Sequence, residues 1–588
     1  MEQAKLKPSQ EMRWQKYYPE SAQNFDFPKV KIYDAVYEEN RNKKDNVALE
    51  YEGTEIKYGE FFDKVEEKTE YFLSKGVEPG EVVTFTMLMS PEFVYDWYAL
   101  SRIGAVSNLI DPRTNVAGIR EYIKEADSKL ILNTGIFTNK VKDAIEDDDI
   151  AVVNYSLKDS AKKMPLLLGT VSSITDFTTS LLAKKDIRFQ KYDNSFAKSK
   201  SSKLEGYTKD EPLTIVHTGG TTGMPKGVVL SHDNYNAMAY EYIKSGIGFT
   251  RGDRFLLIMP PWISYGSGML HMSLVCGMKA TIISKLDSKK MPNYILKHQP
   301  QWFAGVPVHY QIVNRSKDIK LGSLSFLKAG AVGGGAVSGE LFEESEDFLL
   351  KNGTKKGVYP GYALTESTSA FAVRHTKEFK KGSSGIPLPG CTVGIFKFDE
   401  NTGITTDEEL DYNQRGEICL KTPNMMLGYF KNDELTKEVL KKHSDGETWI
   451  HTGDLGKIDE DGFIFIEGRI KEMITRHDGF KVYPSVIERV ISAHKAIDSC
   501  KVVGVPDTIH QQGEFPKVYF TIKEEYKKDL STVLKELKDM SKSCLPEYYL
   551  EGISFESIDK MPLTPLGKID YRKLQELNVE GKILKKIK

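Results

Sequence analysis

The sequence predicts an α/β chain. It has a large N-terminal domain of layered α/β subdomains with mixed sheets, a β-barrel-like part, and a small α+β C-terminal domain. Three observations carry this. From about residue 80, short apolar runs alternate with longer amphipathic segments. A glycine-dotted stretch at 446–468 carries alternating runs such as GFIFIEG. After Lys471 come 117 residues with their own helix and strand signals.

In order, VVTFTML at 82–88 reads as a strand, SPEFVYDWYALSRIG at 90–104 as a helix ending on a glycine, and AVSNLI at 105–110 as a second strand. KLILN at 129–133, LTIVH at 213–217 and RFLLIM at 254–259 repeat the apolar run. Strands that alternate with helices imply parallel sheets covered on both faces. The Lys/Ser-rich stretch from Lys184 to Lys209, with KSKSSK at 198–203, reads as a surface loop or linker. The stretch at 446–468 reads as β-hairpins. A boundary at 469–472 divides the chain into 1–470 and 471–588.

The 588 residues suffice for roughly four packing units. With 40% apolar and 28% charged residues the composition is that of an ordinary globular protein. A net charge of −2 gives no electrostatic footprint for nucleic acid or an anionic membrane. Cys276, Cys391, Cys419, Cys500 and Cys544 are widely spaced and odd in number, which fits a reducing compartment better than a disulfide framework or zinc site. Neither a signal-peptide run nor a transmembrane segment is expected, and the location expected is cytoplasmic. The basic C-terminal KILKKIK reads as a solvated tail.

The most informative string is HTGGTTGMPKG at 217–227, directly after the buried-strand run LTIVH. Gly219, Gly220 and Gly223 let the backbone turn tightly and approach a ligand. Successive N–H groups in such a turn form an anion-binding nest. Thr218, Thr221 and Thr222 add hydroxyl donors, and Lys226 adds a positive charge. The pattern differs from the Walker loop, because the lysine lies after Met-Pro and before Gly227.

This string resembles the signature loop of the adenylate-forming superfamily: acyl-CoA synthetases, adenylation domains of peptide synthetases, and luciferases. Those enzymes join a carboxylate to AMP and release pyrophosphate, and most then pass the acyl group to a thiol. Further motifs follow in family order over roughly 50–580. GAVGGG at 330–335, with Gly333, Gly334 and Gly335, matches the turn that borders the adenine. GYALTES at 361–367 is similar to GYGxTE. There Tyr362 offers a stacking face, Thr365 a donor to the α-phosphate, and Glu366 a hard oxygen for Mg²⁺. In WIHTGDLG, Asp454 can accept both ribose hydroxyls. Arg469 is a charged donor fork for ribose or phosphate, and Lys471 falls on the family's hinge. DGFKVYP, around Gly479, resembles the loop that lines the thiol tunnel. In MPLTPLGKIDYRKL, Lys568 matches the lysine that bridges carboxylate and α-phosphate.

The resemblance implies a two-step enzyme whose C-terminal domain is mobile and rotates about Lys471. Its substrates would be ATP, a carboxylic acid and coenzyme A. PPWISYGSGM at 260–269 has no acidic residue to pair with a substrate ammonium, which argues against an α-amino acid. WISYG and FAGVPVHY are aromatic and apolar and suit a hydrophobic acyl chain. Residues 14–40 look like the start of bacterial long-chain fatty acid–CoA ligases. Two departures stand out. Ile263 occupies the histidine position of the family's PxxHxxG, between Pro260 and Gly266, and Ala363 replaces a glycine of GYGxTE. The reading expected is an acyl-CoA synthetase for a medium- or long-chain fatty acid or similar apolar acid. The alternatives are an acyl-AMP ligase that loads an acyl carrier protein, and an inactive nucleotide-binding regulator.

Overall fold

A computed structural model describes residues 6–146, 148–161, 166–193, 204–218, 226–283, 287–335, 337, 339–375, 378–400, 402–564 and 568–577. The loop residues Gly219, Gly220, Thr221, Thr222 and Gly223 lie outside these, as do KSKSSK and KILKKIK.

Two large sheets and one antiparallel sheet precede the C-terminal region. The first has eight strands. Five neighbouring pairings in it are parallel, linking Pro212–Thr218, Val106–Leu109, Val82–Thr86, Leu130–Thr134, Ala151–Tyr155 and Phe189–Lys191. Val106–Leu109 and Leu130–Thr134 are buried throughout, which explains why they read as unbroken apolar runs. Lys226–Ser231 returns antiparallel along Pro212–Thr218, with Gly428–Tyr429 beyond it.

The helix Pro91–Ile103 shows how local signals set an element. Ser90 Oγ accepts the Phe93 N–H at 3.3 Å, and Pro91 opens the first turn. Gly104 closes the helix at φ +90°, and a Cβ there would lie 2.5 Å from Glu211 Oε1. The Trp97 indole N–H then donates to Thr214 Oγ1 at 2.9 Å, which ties helix to strand. The Lys184–Lys209 stretch departs from the loop expectation. The helix Leu166–Lys185 ends inside it, and Phe189–Lys191 joins the sheet edge. Phe189 is fully buried, so one aromatic side chain outweighs its polar neighbours.

The second sheet has nine strands. Its parallel part runs from Val47–Tyr51 through Lys279–Ile282, Arg254–Leu257, Trp302–Gly305 and Ala329–Val332 to Val358–Ala363. Ala370–Val373 and Ile386–Pro387 fold back antiparallel at the edge. The part expected to be barrel-like is a sheet of six antiparallel strands, in which Thr448–Ile458 and Ile464–Arg469 form the expected hairpin. The C-terminal region packs the helices Pro484–Ser492 and Leu530–Cys544 on the sheet of Ile497–Pro506, Glu514–Ile522 and Ser554–Ser557. Its core includes Ile487, Ile491, Val502, Val518, Phe520 and Leu537. Among the described residues no helix is long and apolar enough to cross a membrane.

Candidate active site

Parallel strands leave their carboxyl ends open where turns begin, and ligand crevices form there. A continuous cavity of about 1820 Å³ opens at those ends. Gly333 and Gly334 follow Ala329–Val332 into it, and Ala363 to Glu366 follow Val358–Ala363. Gly334 turns at φ +74°, and a Cβ there would press on Val306 Cγ1 at 3.3 Å. Gly335 lies outside the lining.

One wall is charged. Glu366 sits in the 3₁₀ turn Thr365–Ser367. Its Oε1 accepts the Tyr429 hydroxyl at 2.6 Å, and its carbonyl accepts the Met426 N–H at 2.8 Å. The Lys226 ammonium lies 5.1 Å from the centre of the Tyr429 ring. Thr218 is the register partner of Lys226, so the hairpin holds both flanks of the 219–225 segment at the cavity wall. Arg469, Lys471 and Lys568 complete the charged side. Lys568 is exposed as a residue and is also part of the cavity lining. Desolvation and then the charge of Arg469 hold its pKa below the ordinary lysine value, with Glu366 opposing.

Asp454 and Arg469 are cross-strand partners in the hairpin of Thr448–Ile458 and Ile464–Arg469. Arg469 Nε forms an ion pair with Asp454 Oδ1 at 2.9 Å, and the Tyr362 hydroxyl donates to Oδ2 at 2.5 Å. Burial pushes the Asp454 carboxyl above its ordinary value, against Arg469 and Tyr362. Tyr362 packs on Phe371, ring centres 4.5 Å apart. Tyr362 and Asp454 thus form the layer behind the lining, while Gly361, Ala363 and Arg469 reach the cavity itself.

The apolar part of the lining includes Trp262, Ile263, Tyr265, Phe303, Val306 and Met269. Gly266 lets the turn close: its N–H donates to Ile263 O, and a Cβ would fall 1.9 Å from Pro260 O. Gly479 is not in the lining. It turns at φ +86° in the hairpin of Ile474–Thr475 and Lys481–Val482, with nothing within 4 Å of the place a Cβ would take. The structure therefore brings Lys568 to the cavity and leaves Gly479 outside it.

Two lining residues are not singled out in the sequence, although His217 opens the HTGGTTGMPKG string. His217 Nε2 faces Asn108 Oδ1 at 2.7 Å, and its ring packs on Tyr122 at 4.2 Å. Burial pushes its pKa down to about 3, so it stands neutral at the cavity. Glu417 accepts the His451 Nδ1–H at 2.9 Å and the Gly453 N–H at 2.8 Å, and so fixes the turn that presents Asp454. Only strand register, invisible in one sequence, places Glu417 beside that turn.

Glu366 fits a hard cation. Its carboxylate keeps acceptor capacity beyond the Tyr429 bond, and its charge acts on both Lys568 and Arg469 at the same cavity.

Residues 36–430 match the family model described as AMP-binding enzyme, and 486–568 match that of the AMP-binding enzyme C-terminal domain. The chain is 30% identical to peroxisomal OPC-8:0-CoA ligase 1 of Arabidopsis thaliana over 529 residues, 88% of this chain and 87% of that one. It is 27% identical to a long-chain-fatty-acid–CoA ligase of Bacillus subtilis, covering 92% and 93%. Among solved structures, ATP-bound MatB from Rhodopseudomonas palustris superposes with a TM-score of 0.75 at 21% identity, over 93% of this chain and 98% of that one. A benzoate CoA ligase from Burkholderia xenovorans gives 0.75 at 18% identity, over 93% and 99%. At these identities the structural likeness speaks for the fold.

Proposed function

The chain belongs to the AMP-binding enzyme family and is an AMP-forming acid–CoA ligase, and on that premise we propose that its acid is a medium- or long-chain fatty acid or a similar apolar carboxylic acid. The observation that carries the proposal is one cavity lined both by Glu366, Arg469 and Lys568 and by Trp262, Ile263, Phe303 and Val306. Charged groups together with an apolar lining suit a carboxylate on a hydrophobic body.

In the first half-reaction a carboxylate oxygen attacks the α-phosphorus of ATP, and the bond to pyrophosphate breaks. Both reactants are anionic, so positioning and charge neutralisation are the main needs. The Lys568 ammonium is the group to bridge carboxylate and α-phosphate, and the 218–226 loop holds the remaining phosphates. Thr365 donates to the α-phosphate. Asp454 is assigned to the ribose hydroxyls; Tyr362 and Arg469 hold its carboxylate one layer behind the lining, so Arg469 must yield its place for the ribose to reach it. Glu366 would hold Mg²⁺, which supplies charge neutralisation on the phosphates when bound with the nucleotide. In the second half-reaction the CoA thiol attacks the acyl carbon and AMP leaves. We assign 1–470 to the adenylating domain and 471–588 to a domain that turns about Lys471, withdrawing Lys568 and bringing Gly479 in. The location of Lys568 at the cavity, with Gly479 outside, supports this as the adenylating arrangement.

The test is a carboxylic-acid panel assayed for CoA-dependent AMP release. Medium- or long-chain acids should give the highest kcat/KM. A preference for small aromatic acids or dicarboxylates would overturn the substrate proposal. AMP release that needs an acyl carrier protein instead of CoA would overturn the choice of thiol.

A further inference from the structure

The hairpin that carries Gly479 is joined to a neighbouring loop by a cluster that adenylation does not use. Asp507 follows the strand Ile497–Pro506, and His510 lies in the turn before Glu514–Ile522. Asp507 Oδ1 accepts the backbone N–H groups of Ile509 at 2.8 Å and His510 at 2.9 Å, which orients the carboxylate. Its Oδ2 faces two imidazoles, with His510 Nδ1 at 2.7 Å and His477 Nδ1 at 3.4 Å. The two rings are stacked, with centres 3.6 Å apart and planes 8° apart. His477 Nδ1 is buried and makes no hydrogen bond. The loop presses on the hairpin, for Gly513 turns at φ +77° and a Cβ there would lie 2.4 Å from His477 N.

Two imidazoles and one carboxylate, with ligand atoms all within 4.8 Å of one another, make a first-row transition-metal donor set. Bonds of about 2.0–2.1 Å to nitrogen and oxygen put tetrahedral ligand atoms roughly 3.3 Å apart. The two N···O distances, 2.7 and 3.4 Å, bracket that spacing. Asp507 is buried, His477 half-buried and His510 exposed, so the carboxylate is fixed and one imidazole can tilt to open the stack. The exposed edge leaves further positions to water. A second trio, Glu417, Cys419 and His451, is also compact. Its polar atoms are paired internally: Glu417 holds His451 and Gly453, and His451 Nε2 faces His443 Nε2 at 2.8 Å.

We propose that His477, Asp507 and His510 bind one divalent transition-metal ion, of the zinc, cobalt or nickel class, which clips the Gly479 hairpin to the 507–513 loop. Resting on the two-step reading above, the bound ion stiffens the hairpin and slows thioester formation while leaving adenylation unchanged.

The experiment titrates the chelator-treated, nucleotide-free full chain with Co²⁺, read by its visible d–d bands, and with Zn²⁺, read by calorimetry. One saturable site is expected. His510→Ala, at an exposed turn, and Asp507→Asn should each weaken it by on the order of tenfold or more, and Cys419→Ser should leave it unchanged. Absence of saturable binding, or binding untouched by His510→Ala, overturns the site. Loss in Cys419→Ser overturns it in favour of the Glu417 trio. Zn²⁺ that binds through His510 but slows both half-reactions equally overturns the clip alone. These binding readouts stand whether or not the acid proposed above is correct.

Discussion

Tyr362 donates its hydroxyl to Asp454 Oδ2 at 2.5 Å, joining the strand Val358–Ala363 to the hairpin of the antiparallel sheet. Asp454 is 4% exposed, so this bond and the Arg469 ion pair offset much of its desolvation. Tyr362→Phe keeps the ring and removes one donor to a buried carboxylate. A loss of about 2 kcal/mol in denaturant melts is expected, with an ATP KM raised about tenfold. The Asp454 pKa, already raised by burial, should rise further, so the KM defect should worsen as pH falls. An unaltered KM and melting profile would mean that the bond does not orient Asp454.

Lys568 has a depressed pKa because its ammonium is desolvated beside Arg469. Its charge is therefore lost at lower pH than for a free lysine, and adenylation should decline as pH rises through that value. Lys568→Ala should lower ATP–pyrophosphate exchange by roughly 10²–10³-fold and spare thioester formation from supplied acyl-AMP. Lys568→Arg, which cannot lose its charge in the accessible range, should be slow but flat on the alkaline side. A steep alkaline decline retained in Lys568→Arg would assign it to another group.

Much of the parallel framework was legible because strands covered on both faces read as continuous apolar runs, as Leu130–Thr134 does. Phe189–Lys191 was not, since its membership of the sheet depends on one buried ring among charged neighbours. For the site, motif order named residues that converge in space: Thr218, Lys226, Gly333, Glu366, Arg469 and Lys568 all line one cavity. Motifs could not show that Tyr362 and Asp454 form a layer behind that lining, or that Glu417 fixes the Gly453 turn. Those facts arise from strand register and from side chains far apart in the chain.

Gly479 turns at φ +86° with open space where a Cβ would point. Gly479→Val therefore meets no clash in the present arrangement and carries only a backbone cost of about 1–2 kcal/mol. If the hairpin enters the active site for the second step, the added side chain obstructs it there. Thioester formation should fall well below wild type while ATP–pyrophosphate exchange stays near it. Equal loss in both half-reactions would remove Gly479 from the thiol step.

Gly266 is demanded by packing rather than by φ. A Cβ at this position would lie 1.9 Å from Pro260 O and 2.9 Å from Met259 O, both backbone atoms that cannot rotate aside. Gly266→Ala must therefore push the helix Ser264–Val275 away from Met259 and Pro260, which follow the strand Arg254–Leu257. A destabilisation of about 3 kcal/mol is expected in urea melts, the upper range for overpacking. The same shift moves Ile263 and Tyr265, which line the apolar wall, so the surviving protein should show an altered order of preference among apolar acids. A variant with wild-type stability and acid preference would show that the turn from Pro260 to Gly266 relaxes without moving the pocket.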